Sequence, residues 1–535
     1  MTLSRSGIFA VATAFAVGLT GCAAPGGTSQ SKDRFVVIDT EELGSFSPLL
    51  GHGKNGESKV FEGLYRVQEG VVDRIPDAIA VLAVGAPQPV DGDLSRWRVT
   101  TRAGVTFSDG STFGPEDVVA TYNSLIDPAY ASSIAAEYDF LRKVAPTGPD
   151  TVEFTLNGPY ADFDHRLFLA IAPAEAFATA GPADKSELDR HPIGTGPYVL
   201  TESRPDQVVL TARDDYWGDK PQVKTFVIRR SDDDNARITQ LRDGADGTVL
   251  PPELAEAAAR DGYRIVSAAT DDWRGITLPT GNPVSGDPAV RTALNYAVDR
   301  GAMVEHILGG AGSATSTLIS TLYGDAYDPA QDFRFDRAEA ARVLDAAGWR
   351  VGGDGIRERD GRRAAFEIAY YPTEVLRRDL TMAVVSDAKK VGIEITPVTV
   401  DKKAMTPEYL AKTAFMLGGG GQPYTVDSQL YTKFHSRYAA PGVGSKWDNA
   451  SDYVNPKVDQ ILDAARVEAN PQRRSELYRQ FQLEYHRDPA MLALVTTNHV
   501  YALRDSGWQV PPTALEPHAH GVSWGPWYSL ARWTR

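Results

Sequence analysis

The chain's 535 residues are 42% hydrophobic and 23% charged, and its 48 Gly and 34 Pro are too few for a collagen-like or low-complexity protein. Its 55 basic residues stand against 70 acidic ones, net −15, which leaves neither the basic stripe that nucleic acid demands nor a polybasic patch for anionic lipid. Length alone implies roughly three domain-sized units or two larger ones. A single cysteine excludes an intramolecular disulfide and a cysteine-rich metal centre.

In chain order, the first 21 residues read as a signal peptide. Arg5 supplies the basic start, and the apolar run from Ile8 to Leu19 is too short for the ~20 residues that span a bilayer. Leu19-Thr20-Gly21-Cys22 matches a bacterial lipobox, so Cys22 is the expected site of lipidation and the mature N-terminus. Residues 22–34 (CAAPGGTSQSKDR) lack large apolar side chains and are expected to form a flexible tether. No later stretch approaches ~18 apolar residues. The expected location is the outer face of the cell membrane, through the lipid anchor.

Compact β-branched or alternating runs predict strands at Arg34–Asp39, Trp97–Thr101, Thr151–Leu156 and Gln207–Ala212. Helical periodicity predicts helices at Glu116–Leu125, Pro288–Leu308, Arg337–Ala347, Val375–Val391 and Pro456–Ala469. The helix from Pro288 has Asp287 as its cap, an apolar face of Val290, Leu294, Ala297, Val298 and Ile307, and Gly309-Gly310 as its stop. Asp336 caps the next one. Strands interleaved with helices give an α/β or α+β fold with mixed sheets in two lobes.

Several segments resemble one family. Val60-Phe-Glu-Gly-Leu-Tyr-Arg66 is similar to the "YEGL" opening of bacterial extracytoplasmic solute-binding proteins of family 5, the peptide and nickel binders of ABC importers. Trp97–Gly110 resembles its "W…LR.GVKFHDG", His191–Tyr198 its "PVGTGPY", Tyr216-Trp-Gly218 its "DYWG" and Val290–Arg300 its "VRQALNYAIDR". Ala340–Trp349 and Asn455–Asp459 match further on, so the motifs keep family order from about residue 60 to 460. The resemblance implies a two-lobed clamshell of the large, type II peptide-binding class with an extra subdomain. The expected division is 35–67, 196–275 and 495–535 in lobe I, 68–195 in its extra subdomain, and 276–494 in lobe II.

The residues also carry a local reading. Asp109-Gly110 between strand-like residues signals a tight turn. Gly194-Thr-Gly-Pro197 reads as a flexible pair before a fixed residue, suited to a passage between lobes. Arg291 is expected to carry fold. Gly418 to Gly421 permit close approach of backbone to a ligand or a sharp bend, which makes Gly420 and Gly421 candidate ligand contacts. In the family the segment that follows often reads "W…DYPDP", with an aspartate facing a peptide ammonium; Tyr424 and Asp427 are the corresponding candidates here. No aspartate directly precedes Pro423, and glycine occupies the usual tryptophan position.

For a metal chelate, the alternative cargo of the family, His435 is the candidate ligand. His518-Ala-His520 is denser, but two histidines fall short of a complete site. No Gly-x-Ser-x-Gly, His-Glu-x-x-His, Walker or dinucleotide motif is present, so no catalytic residue is expected and no enzyme. A surface enzyme or sensor on this fold is the remaining alternative. The resemblance implies a monomer that takes no cofactor, binds a peptide or small chelate, and works with separate permease and ATPase subunits.

Overall fold

The computed structural model describes residues 33–40, 46–52, 56, 58–420, 424–439 and 443–535. Cys22, the signal peptide, the tether before residue 33, and Gly421 lie outside them.

Two large sheets organise the chain. A seven-stranded sheet runs in the order 264–268, 499–503, 247–250, 34–39, 225–230, 207–212, 198–204. Its centre is the strand Arg34–Asp39, parallel to both neighbours. Phe35 and Val37 pack on one face against the aromatic C-terminal segment, with the Phe35 and Trp533 rings 4.9 Å apart and near perpendicular. Val36 and Ile38 pack on the other face against Ile238 and Leu241. Apolar surroundings on both faces account for an unbroken apolar run instead of an alternating one.

A six-stranded sheet has the order 312–314, 491–497, 272–277, 414–420, 365–370, 394–399. Helices bury Leu294, Leu344 and Val384 against it on one side, and aromatic residues such as Phe434 and Phe481 fill the other. The chain passes between the two sheets at 269–271, and again at Asn498 between the strands Met491–Thr497 and His499–Leu503. A four-stranded antiparallel sheet (83–90, 93–101, 151–156, 141–146) sits beside the seven-stranded one, backed by the helix Pro115–Ile126.

Three predicted strands have the expected bounds, and Trp97–Thr101 extends back to Asp93. The helix expected over Pro288–Leu308 is two, Pro288–Ala297 and Arg300–His306. Val298 is extended, and Asp299 caps a fresh start by accepting from Ala302 N at 3.0 Å. Arg300 is thereby turned inward onto the carbonyls of Ala493 and Asn295. Asp287 and Asp336 cap as expected, and Asp109-Gly110 forms its turn, with Gly110 N donating to Phe107 O.

The Gly194-Thr-Gly-Pro197 segment departs from its expected role. Both glycines press on the backbone of Lys59 and Val60, and Gly196 N donates to Val60 O at 2.9 Å. Neither has positive φ. Their lack of a side chain serves close packing and not backbone flexibility.

Candidate functional site

Three of the motif segments, Val60–Arg66, Trp97–Gly110 through Arg102, and Tyr216–Gly218, meet around a cavity of about 320 Å³. Glu62, from the Val60–Arg66 motif, accepts from Tyr216 Oη at 2.7 Å and from Trp217 Nε1 at 2.9 Å, so two sequence-distant motifs form one wall. Arg102 lies over the Trp217 ring and donates through Nε to Val81 O at 2.6 Å. Tyr65 donates to Gly85 O, and burial pushes its hydroxyl well above the ordinary phenol range. Trp524 and Tyr528 stack with centroids 5.2 Å apart, and Tyr528 Oη is fixed by the Val67 carbonyl.

Tyr424 crosses to this wall from the six-stranded body. Its backbone has φ 64°, its ring meets Trp524 edge to face, and its hydroxyl donates to Leu515 O at 2.9 Å. It also lines a second cleft of about 500 Å³, between Trp97, Asp162 and His165 on one side and Tyr323, Arg474 and Tyr478 on the other. Along the mouth of that cleft the two sides touch. Ala161 N donates to Arg466 O at 3.0 Å and Ile75 N to Leu322 O at 3.1 Å. Arg474 pairs with Asp162 at 3.2 Å. Burial raises the Asp162 carboxyl above the usual range, and the Arg474 charge opposes that rise. For His165, burial lowers basicity, but the Asp164 carboxylate at 2.9 Å outweighs it and the ring is held above the ordinary value.

The remaining candidates lie elsewhere. Asp427 is 3% exposed, lines neither cavity, and takes a bidentate pair from Arg466, Nε at 3.0 Å and Nη2 at 2.8 Å. Gly420 pairs with Asp272 across the sheet, and a side chain there would meet His518 N at 2.6 Å. With Gly419 against the Trp273 ring, the glycine run admits neighbouring protein groups. His435 ends the helix Val426–Phe434, its ring tilted against Tyr431 with centroids 4.7 Å apart and its Nε2 3.2 Å from Asp463, and lines neither cavity. Arg291 is internal, with Nε donating to Pro489 O.

Sequence reasoning missed a buried charged cluster at the two chain crossings. His518 and His520, which the sequence marked only as an incomplete metal pair, converge there with His499, Asp272, Arg274 and Glu516. The members come from separate strands and the C-terminal segment, so no local spacing marks them. Among the described residues, no group of three or more His, Cys, Asp or Glu has the geometry to hold a metal. No helix among them is long and apolar enough to cross a membrane.

Two sheet-centred bodies, linked by short crossings and meeting around a cleft and a cavity, define a two-lobed substrate-binding protein. Residues 83–441 match the bacterial extracellular solute-binding proteins, family 5 Middle. Protein XP55 of Streptomyces lividans is 38% identical over 96% of this chain and 93% of its own. The oligopeptide-binding protein AppA of Bacillus subtilis is 26% identical over 78% of each. Among solved structures, NikZ from Campylobacter jejuni in complex with Ni(L-His) superposes with TM-score 0.80 at 22% identity, covering 94% of this chain and 100% of that one. AppA in complex with a nonapeptide gives 0.73 at 24% identity, covering 94% and 98%. The chain belongs to family 5 of the extracellular solute-binding proteins, whose members bind substrates for ABC transporters and are not enzymes. The fold is the two-lobed α/β architecture that the motifs imply.

Proposed function

We propose that this chain captures a compact peptide outside the cell membrane, while anchored through lipid on Cys22, and hands it to the permease of an ABC importer. The observation that carries the reading is the cavity of about 320 Å³, whose wall Tyr424 completes from the opposite body. That volume is near the lower end for small-ligand sites, which favours two or three residues over a long peptide. Related proteins named for oligopeptides and dipeptides support the ligand class. On this reading residues 35–67, 196–271 and 498–535 form lobe I, 68–195 its extra subdomain, and 272–497 lobe II, with the boundaries moved from 275 and 495 to the two crossings so that neither the strand Asp272–Thr277 nor Met491–Thr497 is divided. Tyr424 is the ligand-facing candidate, and Asp427 acts by holding Arg466.

A peptide library titrated against the protein tests this. The expected result is saturable binding of short peptides with thermal stabilisation by RT ln(1 + [L]/Kd), about 2.7 kcal/mol at a hundredfold excess over Kd. Exclusive response to nickel with free histidine would replace the peptide reading with the chelate one. Separately, Cys22→Ser is expected to leave the detergent phase on partitioning; full retention there would remove the anchor from the proposal.

A further inference from the structure

Both chain crossings run past one buried carboxylate. Asp272 opens the strand Asp272–Thr277 of the six-stranded sheet and is 0% exposed. Its Oδ1 is 2.6 Å from His518 Nδ1 and also pairs with Arg274. Its Oδ2 accepts from Thr497 Oγ1 at 3.2 Å and lies 3.1 Å from His499 Nε2. His499 opens the strand His499–Leu503 of the other sheet, and its Nδ1 lies 2.7 Å from Glu516 Oε2. Glu516 accepts from Tyr501 Oη at 2.7 Å and Gly525 N at 2.9 Å, so it belongs to the C-terminal segment packed on the seven-stranded body. Each ring nitrogen of His499 therefore faces a carboxylate. A neutral imidazole has a single N–H, and only the imidazolium donates to both.

We propose that His499, as an imidazolium shared by Asp272 of one body and Glu516 of the other, is the positioning residue that sets the angle between the lobes and so favours the closed state. This deepens the solute-capture reading and rests on it for its role. The groups facing His499 fit the assignment. Asp272 is itself held by Arg274 and His518, and the Arg377 side chain lies beyond Arg274, over Gly418. Asp271, the neighbour of Asp272, accepts from Tyr323 and Gln429 of the six-stranded body. His520 meets His499 edge to face at 5.0 Å; burial first, and then the His499 charge, push it down to about 3, so it stays neutral. Burial alone would lower His499, but the two carboxylates raise it to about 9. Loss of the proton leaves one carboxylate facing a lone pair, which weakens the clasp as pH rises.

The test is the inter-lobe distance distribution, from spin labels on Lys185→Cys and Lys389→Cys, both exposed and on different bodies. The full chain carries Cys22→Ser so that these are its only thiols. The expected result is a closed population that is steady near neutrality and falls as pH rises through about 9, with circular dichroism unchanged. His499→Gln should show a pH-independent distribution like that of the alkaline wild type. Glu516→Gln should move the transition towards neutral pH, because it removes one of the charges that hold the proton. A flat wild-type profile, or the same transition in His499→Gln, overturns the proposal. A peptide titration without response would count against the proposed function only, since the distance profile needs no ligand.

Discussion

Asp427 and Arg466 illustrate how a residue suited to one task by sequence is committed to another by its neighbours. The Arg466 guanidinium meets both carboxylate oxygens, lies 3.2 Å from the Tyr431 ring centroid, and is held firmly protonated against burial by the Asp427 charge. Breaking a fully buried pair costs ~3–5 kcal/mol. Because Arg466 keeps 25% of its side-chain surface in water, we expect about 2–3 kcal/mol for Asp427→Asn, read by urea unfolding. Any loss of peptide affinity should then be the same for free and acetylated N-termini; a loss confined to the free amine would return Asp427 to ligand contact. His499 gives a pH signature of its own. Its proton affinity is higher in the folded chain than the ~6.5 of a free imidazole, so its contribution is complete below that pH and lost as pH rises through about 9. Unfolding free energy should fall between pH 7 and 9.5 in the wild type and by clearly less in His499→Gln.

At the scale of elements, glycine is where sequence and structure part most clearly. Gly418 to Gly420 were legible as places of close approach and Gly194 only as a flexible point, and a sequence does not say what approaches either. Here it is the carbonyl of Val60, the Arg274 and Trp273 side chains, and the backbone of His518. Gly194→Ala should therefore cost about 1–3 kcal/mol through backbone displacement, whereas Gly353→Ala, with open space around it, should change the urea midpoint little. Both effects are read in one denaturation series. Caps were readable because they are local: Asp287 and Asp336 each bond amides two or three residues on. The break at Val298-Asp299 was hidden because apolar periodicity continues through it. It is fixed by Arg300 reaching Ala493, which is 193 residues away.

For the whole molecule, family motifs made the two-lobed fold legible before any coordinate, while the ligand wall and the crossing cluster depend on residues hundreds of positions apart, such as Glu62 with Trp217 and Asp272 with His499. Lobe closure has its own readable contact. Arg474 and Asp162 belong to opposite sides of the cleft and pair at 3.2 Å, with side chains 19% and 15% exposed. A pair made only when the lobes meet weights the closed state alone, so its loss shifts the open–closed balance without touching either core. Partial exposure limits its worth to about 1–2 kcal/mol, which corresponds to ~5–30-fold in Kd. Arg474→Ala should thus weaken a short-peptide ligand by that factor through faster dissociation, with association and the unfolding midpoint nearly unchanged. Arg473→Ala is the control, because Arg473 pairs at 3.1 Å with Glu468 near the start of its own helix. Stopped-flow measurement of both variants separates the cases: equal effects, or a change confined to association, would mean that the Arg474–Asp162 contact does not hold the lobes together.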